Sequence, residues 1–202
     1  MDTIRFGREN RKYSALWQNG YGDANWRRLA KYVLAKVDTS ERLSLIDFGF
    51  GRGAALDFFE RHAFYVEGVE ISSYAVENQR SKGRSVHYSS LDNLPMLKDG
   101  QFSIGFCNDV IEHVPEDLVA PSLEEMTRVC SRYLFISVCP TPSHHLSLNE
   151  ENLHLTVKPV LWWEEQFKRY GEIERLRFLF SRSARYKINL NPKIIVKTPS
   201  ET

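Results

Sequence analysis

The chain has 202 residues, of which 42% are hydrophobic and 26% charged, and this composition is typical of one globular domain with a substantial core. Its formal net charge of +1 gives no electrostatic argument for a nucleic-acid or membrane-surface partner, and no apolar run approaches the roughly 18–20 residues of a membrane span. The three cysteines have neither disulfide nor metal spacing, so we expect reduced, buried thiols in a cytoplasmic protein.

The first 22 residues are polar and aromatic and show no clear period. Asp23 follows as the expected N-cap of a helix that carries Trp26 and Leu29 at helical spacing and ends near Val37. Trp17 and Tyr21 leave two interpretations open. They either pack this segment onto the core or form a lid over a ligand.

A short apolar run then ends in Asp47 and breaks into three alternating glycines, Gly49, Gly51 and Gly53, before a helical pattern begins. Strand, tight turn and helix in this order form the ligand-binding corner of a doubly wound α/β sheet. Glycine tolerates positive φ and lets a ligand lie against backbone. By itself the pattern also fits a dinucleotide fingerprint, or a turn with no ligand.

The next β-rich run, residues 64–71, ends in Glu70 about 20 residues after the turn, where a carboxylate can accept both hydrogen bonds of a ribose diol. The alternative is a surface glutamate at a strand end. Ser72 or Ser73 is the expected cap of a following helix that runs to Gly83.

Strand and helix patterns continue to alternate along the chain. Strands are predicted at 85–89, 102–108 and 133–138, and a helix with Val119 and Leu123 on one face precedes the last of them. Such alternation implies βαβ crossovers and a mostly parallel sheet.

The C-terminal part starts with a connection from residue 139 to 157, a length that is uncommon in compact domains unless the loop is functional. Pro159 opens a helix that Gly171 closes. Residues 173–180 and 193–197 follow as two predicted strands. Because no helix separates them, we expect an antiparallel pair at the sheet edge.

The ordered motifs of residues 43–139 resemble the class I S-adenosylmethionine-dependent methyltransferases, in the small-molecule group that includes ubiquinone-biosynthesis enzymes. They are the glycine turn after Asp47, GVEIS at 68–72, Leu94-Pro95 with Phe102, and DVIEHV at 109–114. The resemblance implies a single Rossmann-like α/β domain. Its seven-stranded, mostly parallel sheet would have the order 3-2-1-4-5-7-6, with strand 7 antiparallel and helices on both faces.

On that basis the single domain spans residues 1–202 in three parts. Residues 1–37 would form an N-terminal cap segment and helix, and residues 38–139 the cofactor-binding core. Residues 140–202 would supply the substrate loop, a helix and the terminal strand pair.

The resemblance also implies S-adenosylmethionine as cofactor. Asp47 and the backbone around the three glycines would hold its methionine end, Glu70 its ribose and Ile71 one face of its adenine. Ser90 and Leu91 occupy the usual place of an adenine-contacting aspartate and its neighbour. Since that aspartate is missing, Ser90 or Asp92 would make the contact.

Asn108 and Asp109 would line the methionine pocket, with His113 near the substrate mouth. The chain departs from the family at Ser103, where aspartate is usual, and this should matter little. Dehydrogenases lack the segment 109–114, and enzymes that methylate amino groups of nucleic acid or protein carry Asn/Asp-Pro-Pro-aromatic at the end of strand 4. Neither class is therefore favoured.

Transfer of a methyl group to oxygen requires removal of a proton, and histidine is the natural base near neutral pH. The candidates are His113, His144, His145 and His154. The alternatives are that His113 packs at a helix start and that the loop histidines are solvated or orient substrate. His144, His145 and His154 have no recognised metal spacing, so no metal is assigned.

Residues 152–163 resemble segments after strand 5 in methyltransferases of glycan and lipopolysaccharide assembly. This favours a hydroxyl of a sugar or comparable polar metabolite. Trp162 could stack on a sugar face, although one of Trp162 and Trp163 must be core and both could be. The basic stretch from Arg175 to Lys187 consists of solvated edge charges or binds an anionic substrate such as a nucleotide-linked sugar. The alternative function is a non-catalytic S-adenosylmethionine-binding module that partners another enzyme; the oligomeric state is open.

Overall fold

The computed structural model describes residues 1–22, 26–38, 40, 42–147, 151–176 and 182–190. The helices are α1 (Thr3–Gln18), α2 (Trp26–Lys36), α3 (Ala54–Arg61), α4 (Ser73–Arg80), α5 (Glu116–Arg128) and α6 (Val160–Lys168), with a short 3-10 helix at Ile111–His113. The strands are β1 (Ser44–Phe48), β2 (Tyr65–Glu70), β3 (Val86–Tyr88), β4 (Phe102–Asn108), β5 (Cys130–Val138), β6 (Gly171–Leu176) and β7 (Ala184–Leu190).

The seven strands form one sheet in the order β3-β2-β1-β4-β5-β7-β6. Strands β1 to β5 pair in parallel, whereas β7 is antiparallel to both β5 and β6. The predicted fold class and strand order are therefore confirmed. Parallel strands of this kind are buried on both faces, which explains the continuous apolar runs in β4 and β5.

Two apolar cores cover the two faces of the sheet. One contains Trp163 and Phe167 of α6 together with Leu123 and Met126 of α5. The other packs Leu29 and Val33 of α2, with residues of α3, against the sheet. The predicted arrangement with helices on both faces is confirmed.

The N-terminal segment is a helix, where the sequence showed no period. Asp2 caps α1 by accepting a hydrogen bond from the Arg5 backbone at 2.8 Å. Only Glu9 and Leu16 are buried along its length, because the helix covers a cavity rather than a core. No periodic pattern in the sequence had indicated this helix. The predicted cap Asp23 lies outside the described residues.

The strand that pairs with β5 also differs from the prediction. It is β7 at residues 184–190, and the predicted strand at 193–197 lies outside the described residues, as do 177–180. The expected antiparallel pair exists as β6 and β7, with β6 outermost. Among the cysteines, Cys107 and Cys130 are buried as expected, but Cys139 is partly exposed. Among the residues that the structure describes, no helix has the length and apolar character that a membrane span requires.

Candidate active site

A cavity of about 410 Å³ lies at the carboxyl ends of the parallel strands, beneath α1. This is the position at which doubly wound sheets bind ligands. Its wall includes all four candidate histidines and every predicted cofactor residue except Gly53. The lining residues so predicted are Asp47, Gly49, Gly51, Glu70, Ile71, Ser90, Leu91, Asn108, Asp109, His113, His144, His145 and His154.

Strand register brings the polar groups together. Asp47 pairs with Gly68 of β2 and with Phe106 of β4, so it lies near the carboxyl ends of both neighbouring strands. Glu70 ends β2 and Asn108 ends β4. Because parallel strands end at the same edge of a sheet, these three side chains reach one cavity.

The glycine turn requires backbone conformations that only glycine adopts without strain. Gly49 has φ +74°, and a Cβ there would lie 2.6 Å from a methyl group of Val110. Gly53 has φ +83°, and a Cβ there would lie 2.6 Å from the Gln79 side chain. Gly53 thus caps the start of α3, where that helix packs against α4, and it does not line the cavity. Its contact with the cofactor stays a prediction, and this position does not support it.

Glu70 is held by backbone N–H groups on two sides. Its Oε2 accepts from Gly51 at 2.9 Å, while its Oε1 accepts from Ile71 at 2.9 Å and Ser72 at 3.0 Å. Glu70 as a whole is 5% exposed. It therefore fixes the glycine turn at the same time as it faces the cavity.

Asp109 adopts φ +52°, which is uncommon for a residue other than glycine. Ser137 of β5 holds it there, because the Asp109 N–H donates to Ser137 Oγ at 2.9 Å and that hydroxyl lies 2.8 Å from Asp109 Oδ1. The same hydroxyl lies 3.0 Å from Asn108 Oδ1. Backbone strain of this kind concentrates at functional sites.

His113 lies in the cavity wall with its Nδ1 3.0 Å from the Leu153 carbonyl and 3.0 Å from the Tyr13 hydroxyl. A carbonyl can only accept, so the hydrogen-bond pattern assigns the proton to Nδ1. Burial and the neighbouring His154 lower the pKa of His113 to about 3. The ring is thus neutral near neutral pH.

His154 and Cys139 form a second pair. Burial by itself lowers the pKa of His154. Hydrogen bonds with the Cys139 thiol and with the Thr141 carbonyl, which lies 2.6 Å from Nδ1, outweigh burial and raise this pKa above its ordinary value. The hydrogen bond with His154 lowers the pKa of the Cys139 thiol, with a further contribution from Thr141. His145 contacts the Tyr21 ring at 5.3 Å between centroids. His144 is an exposed residue of the same loop.

Glu112 is fully buried beside these groups. Its Oε1 accepts from the Cys139 N–H at 2.9 Å, whereas its Oε2 has no hydrogen-bond partner among the described residues. Burial, followed by the charge of Asp109, raises the pKa of Glu112 well above its usual range.

Three groups in this wall escaped sequence reasoning, namely Tyr13, Glu112 and Cys139. Glu112 sits inside the DVIEHV segment, next to His113, and that adjacency was the available signal. No sequence signal marked Tyr13 or Cys139, because their positions depend on how α1 and the loop after β5 fold. Trp17 and Tyr21 line the cavity, and Trp17 also packs on the core near Phe50, so features of both interpretations are present.

Other candidates lie away from the cavity. Trp163 is core, while Trp162 packs at the edge of that core beneath Lys158 and does not line the cavity, so this position does not support stacking on a ligand bound there. Of the basic stretch, Arg175 pairs with Glu164 and Arg185 is buried, whereas Arg182 lines the cavity. Asp92, which also lines it, forms an ion pair with the N-terminal amino group.

The charges of the wall fit a cationic ligand with a ribose. Buried Asp47 and Glu70 and partly buried Asp109 all face the cavity. Carboxylates in a low-dielectric wall favour positive charge and disfavour a pyrophosphate. A sulfonium cofactor with an α-amino group matches this set, and a dinucleotide does not.

Residues 46–133 match the family described as "Methyltransferase domain". A search of curated proteins gave no sequence match. Among solved structures, the chain is similar to the 1,6-didemethyltoxoflavin-N1-methyltransferase of Burkholderia thailandensis bound to S-adenosylhomocysteine. The TM-score is 0.70 at 11% identity, with 96% of this chain and 92% of that chain covered.

It is also similar to the magnesium protoporphyrin IX methyltransferase of Synechocystis with bound S-adenosylmethionine, with a TM-score of 0.67, 16% identity and 95% and 98% coverage of the two chains. A third similar structure is a putative methyltransferase from Haloferax volcanii in complex with its Trm112 activator, with a TM-score of 0.65, 15% identity and 90% and 98% coverage. At such identities these structures show the shared fold, while the sequence match covers the glycine turn, Glu70 and the segment 109–114. Residues 46–133 therefore match a methyltransferase domain, and the chain shares the fold of class I S-adenosylmethionine-dependent methyltransferases.

Proposed function

We propose that this enzyme methylates a small polar molecule, with a hydroxyl of a sugar or comparable metabolite as the best candidate acceptor. The observation that carries the proposal is the cavity under α1, which joins the predicted cofactor residues to four histidines. Its volume of about 410 Å³ lies in the range of small-molecule sites, roughly 300–1,000 Å³.

The cofactor end of the cavity would be formed by the ends of β1, β2 and β4. Asp47 would face the methionine end, and Glu70 would accept from the ribose hydroxyls. Ile71, Ser90 and Leu91 would surround the adenine, with Asn108 and Asp109 near the methionine pocket. When bound, S-adenosylmethionine supplies an electrophilic methyl group, and the protein mainly has to align acceptor and donor.

The acceptor end would be formed by α1 and the loop after β5. The cavity wall here includes Tyr13, Tyr21, Ser143 and His145, whose side chains carry hydroxyl and imidazole groups. Such groups suit an acceptor rich in hydroxyls, and Arg182 offers one cation for an anionic part of it. The similarity to enzymes named for toxoflavin and magnesium protoporphyrin substrates supports a small molecule.

A histidine base stays a prediction for His113, His144, His145 and His154. All four line the cavity. An efficient base has a pKa near the working pH, and the pKa of about 3 at His113 disfavours that residue. The division into cap (1–37), cofactor core (38–139) and substrate part (140–202) likewise stays a proposal, supported by the cover that α1 forms over the cavity.

The test is transfer of a labelled methyl group from S-adenosylmethionine to a polar metabolite extract, followed by identification of the labelled product. A labelled sugar or other hydroxyl compound supports the proposal. Tight binding of S-adenosylhomocysteine without transfer to any extract component would instead favour a cofactor-binding module that serves another enzyme.

A further inference from the structure

Three side chains in the cavity wall bring metal-ligand atoms close to one another. One donor atom from each of Glu112, His113 and His154 lies within 4.8 Å of the others. All three residues line the cavity; His154 is one of the three loop histidines, whereas His144 and His145 are not part of this cluster. We propose that Glu112, His113 and His154 bind one divalent transition-metal ion of the zinc class.

Both imidazoles have the hydrogen-bond pattern that metal-binding histidines commonly show. Nδ1 of His113 lies 3.0 Å from the Leu153 carbonyl, and Nδ1 of His154 lies 2.6 Å from the Thr141 carbonyl. Since a carbonyl only accepts, each Nδ1 carries the proton and each Nε2 keeps a lone pair. Metal-binding histidines commonly donate their other N–H to a backbone carbonyl in this way, which fixes ring orientation.

The third ligand is a buried carboxylate that lacks a complete set of partners. Glu112 is 0% exposed, its Oε1 accepts from the Cys139 backbone, and its Oε2 has no partner among the described residues. A buried polar atom left unsatisfied costs about 1–3 kcal/mol, and more when it belongs to a charged group. A cation bound at Oε2 would remove that cost.

The ligand types select the kind of ion. Two imidazole nitrogens and one carboxylate oxygen suit zinc, iron(II) or cobalt(II), whereas magnesium and calcium prefer an all-oxygen set. Cys139, whose backbone N–H donates to Glu112 Oε1, adjoins the cluster and carries a further soft donor, its thiol. The donors therefore favour a borderline transition metal.

Such an ion would keep coordination positions open to the cavity that its three ligands line. If the proposed function holds, the acceptor would offer an oxygen to the ion, which favours acceptors with a hydroxyl or carboxylate group. This extension rests on the proposed function, whereas metal binding itself does not.

The experiment titrates Co²⁺ into the purified, chelator-stripped full chain, reads its visible absorption, and displaces the Co²⁺ with Zn²⁺. Glu112→Gln and His154→Ala are compared with His144→Ala, a matched change of an exposed histidine in the same loop. We expect one ion per chain, with affinity reduced about tenfold or more in the first two variants and unchanged in the third. S-adenosylhomocysteine binding is measured on the same samples.

Failure of the wild-type chain to bind a stoichiometric ion would overturn the proposal. So would full affinity in both Glu112→Gln and His154→Ala, or an equal loss in His144→Ala. His154 is partly exposed, so its variant keeps the test decisive if Glu112→Gln does not fold. Metal binding without any methyl transfer would refute the proposed function and leave this site standing.

Discussion

Glu70 Oε2 accepts a hydrogen bond from the Gly51 N–H at 2.9 Å, and this contact ties the end of β2 to the glycine turn after β1. The other oxygen of the same carboxylate accepts from Ile71 and Ser72. A residue that the sequence suggests for ribose binding therefore also shapes the turn on which a cofactor would lie.

Replacement of Glu70 by Gln should weaken S-adenosylhomocysteine binding by about tenfold or more, because the amide –NH₂ would face a backbone N–H on one side or the other. Isothermal titration calorimetry measures the affinity. Glu67→Gln is the matched control, since Glu67 lies on the same strand but bonds to Tyr65 and His87, away from the cavity. Equal losses of affinity in the two variants would show that Glu70 has no special role.

Gly49→Ala should destabilise the fold by more than Gly83→Ala. Both glycines have positive φ, +74° and +79°, so both variants carry the left-handed cost of about 1–2 kcal/mol. Only at Gly49 does the new Cβ meet Val110, at 2.6 Å, while at Gly83 nothing lies within 4 Å. Urea unfolding compares the free energies. A second change, Val110→Ala, should recover part of the Gly49→Ala loss, and no recovery would contradict the steric explanation.

Asp109→Asn should keep the fold better than Asp109→Ala. Asn tolerates the left-handed conformation at φ +52° and can accept from Ser137, whereas Ala can do neither as well, so we expect a difference of about 1 kcal/mol. Both variants remove the charge and should weaken cofactor binding alike. Thermal unfolding and calorimetry separate the two effects. Equal stability of the Asp109→Ala and Asp109→Asn variants would show that the contacts with Ser137 do not stabilise the left-handed backbone at this position.

Tyr13→Phe should lower kcat by about tenfold with little effect on cofactor affinity, because Tyr13 lines the proposed acceptor end of the cavity and its hydroxyl would help to position the acceptor. The control is Tyr32→Phe, whose hydroxyl donates to Glu174 outside the cavity. Steady-state kinetics with the acceptor identified by methyl labelling provides the measurement. Unchanged kcat in Tyr13→Phe would exclude Tyr13 from the acceptor side of the site.

The sequence predicted the cofactor end of the site well because strand ends follow from local patterns. Asp47, Glu70 and Asn108 each end an apolar run, and parallel pairing alone brings such ends together. The helix α1 gave no comparable pattern, since its inward face carries Glu9 and covers a polar cavity.

Strand β7 was missed although a signal existed. Apolar Ala184, Tyr186 and Ile188 alternate with charged Arg185 and Lys187, which is the period of a strand, but the charges drew attention to solvent exposure although Arg185 is buried. Glu112 and Cys139 meet only after the loop beyond β5 folds back, with the Cys139 N–H on Glu112 Oε1. No local sequence pattern predicts that contact.

The most direct test of the central claim is calorimetric titration of S-adenosylhomocysteine into the full chain and into Asp47→Ala. We expect one ligand per wild-type chain, and in a variant that circular dichroism shows to be folded we expect affinity reduced by about tenfold or more. Absence of binding to the wild-type chain, or undiminished affinity in folded Asp47→Ala, would contradict the assignment of this cavity to the cofactor.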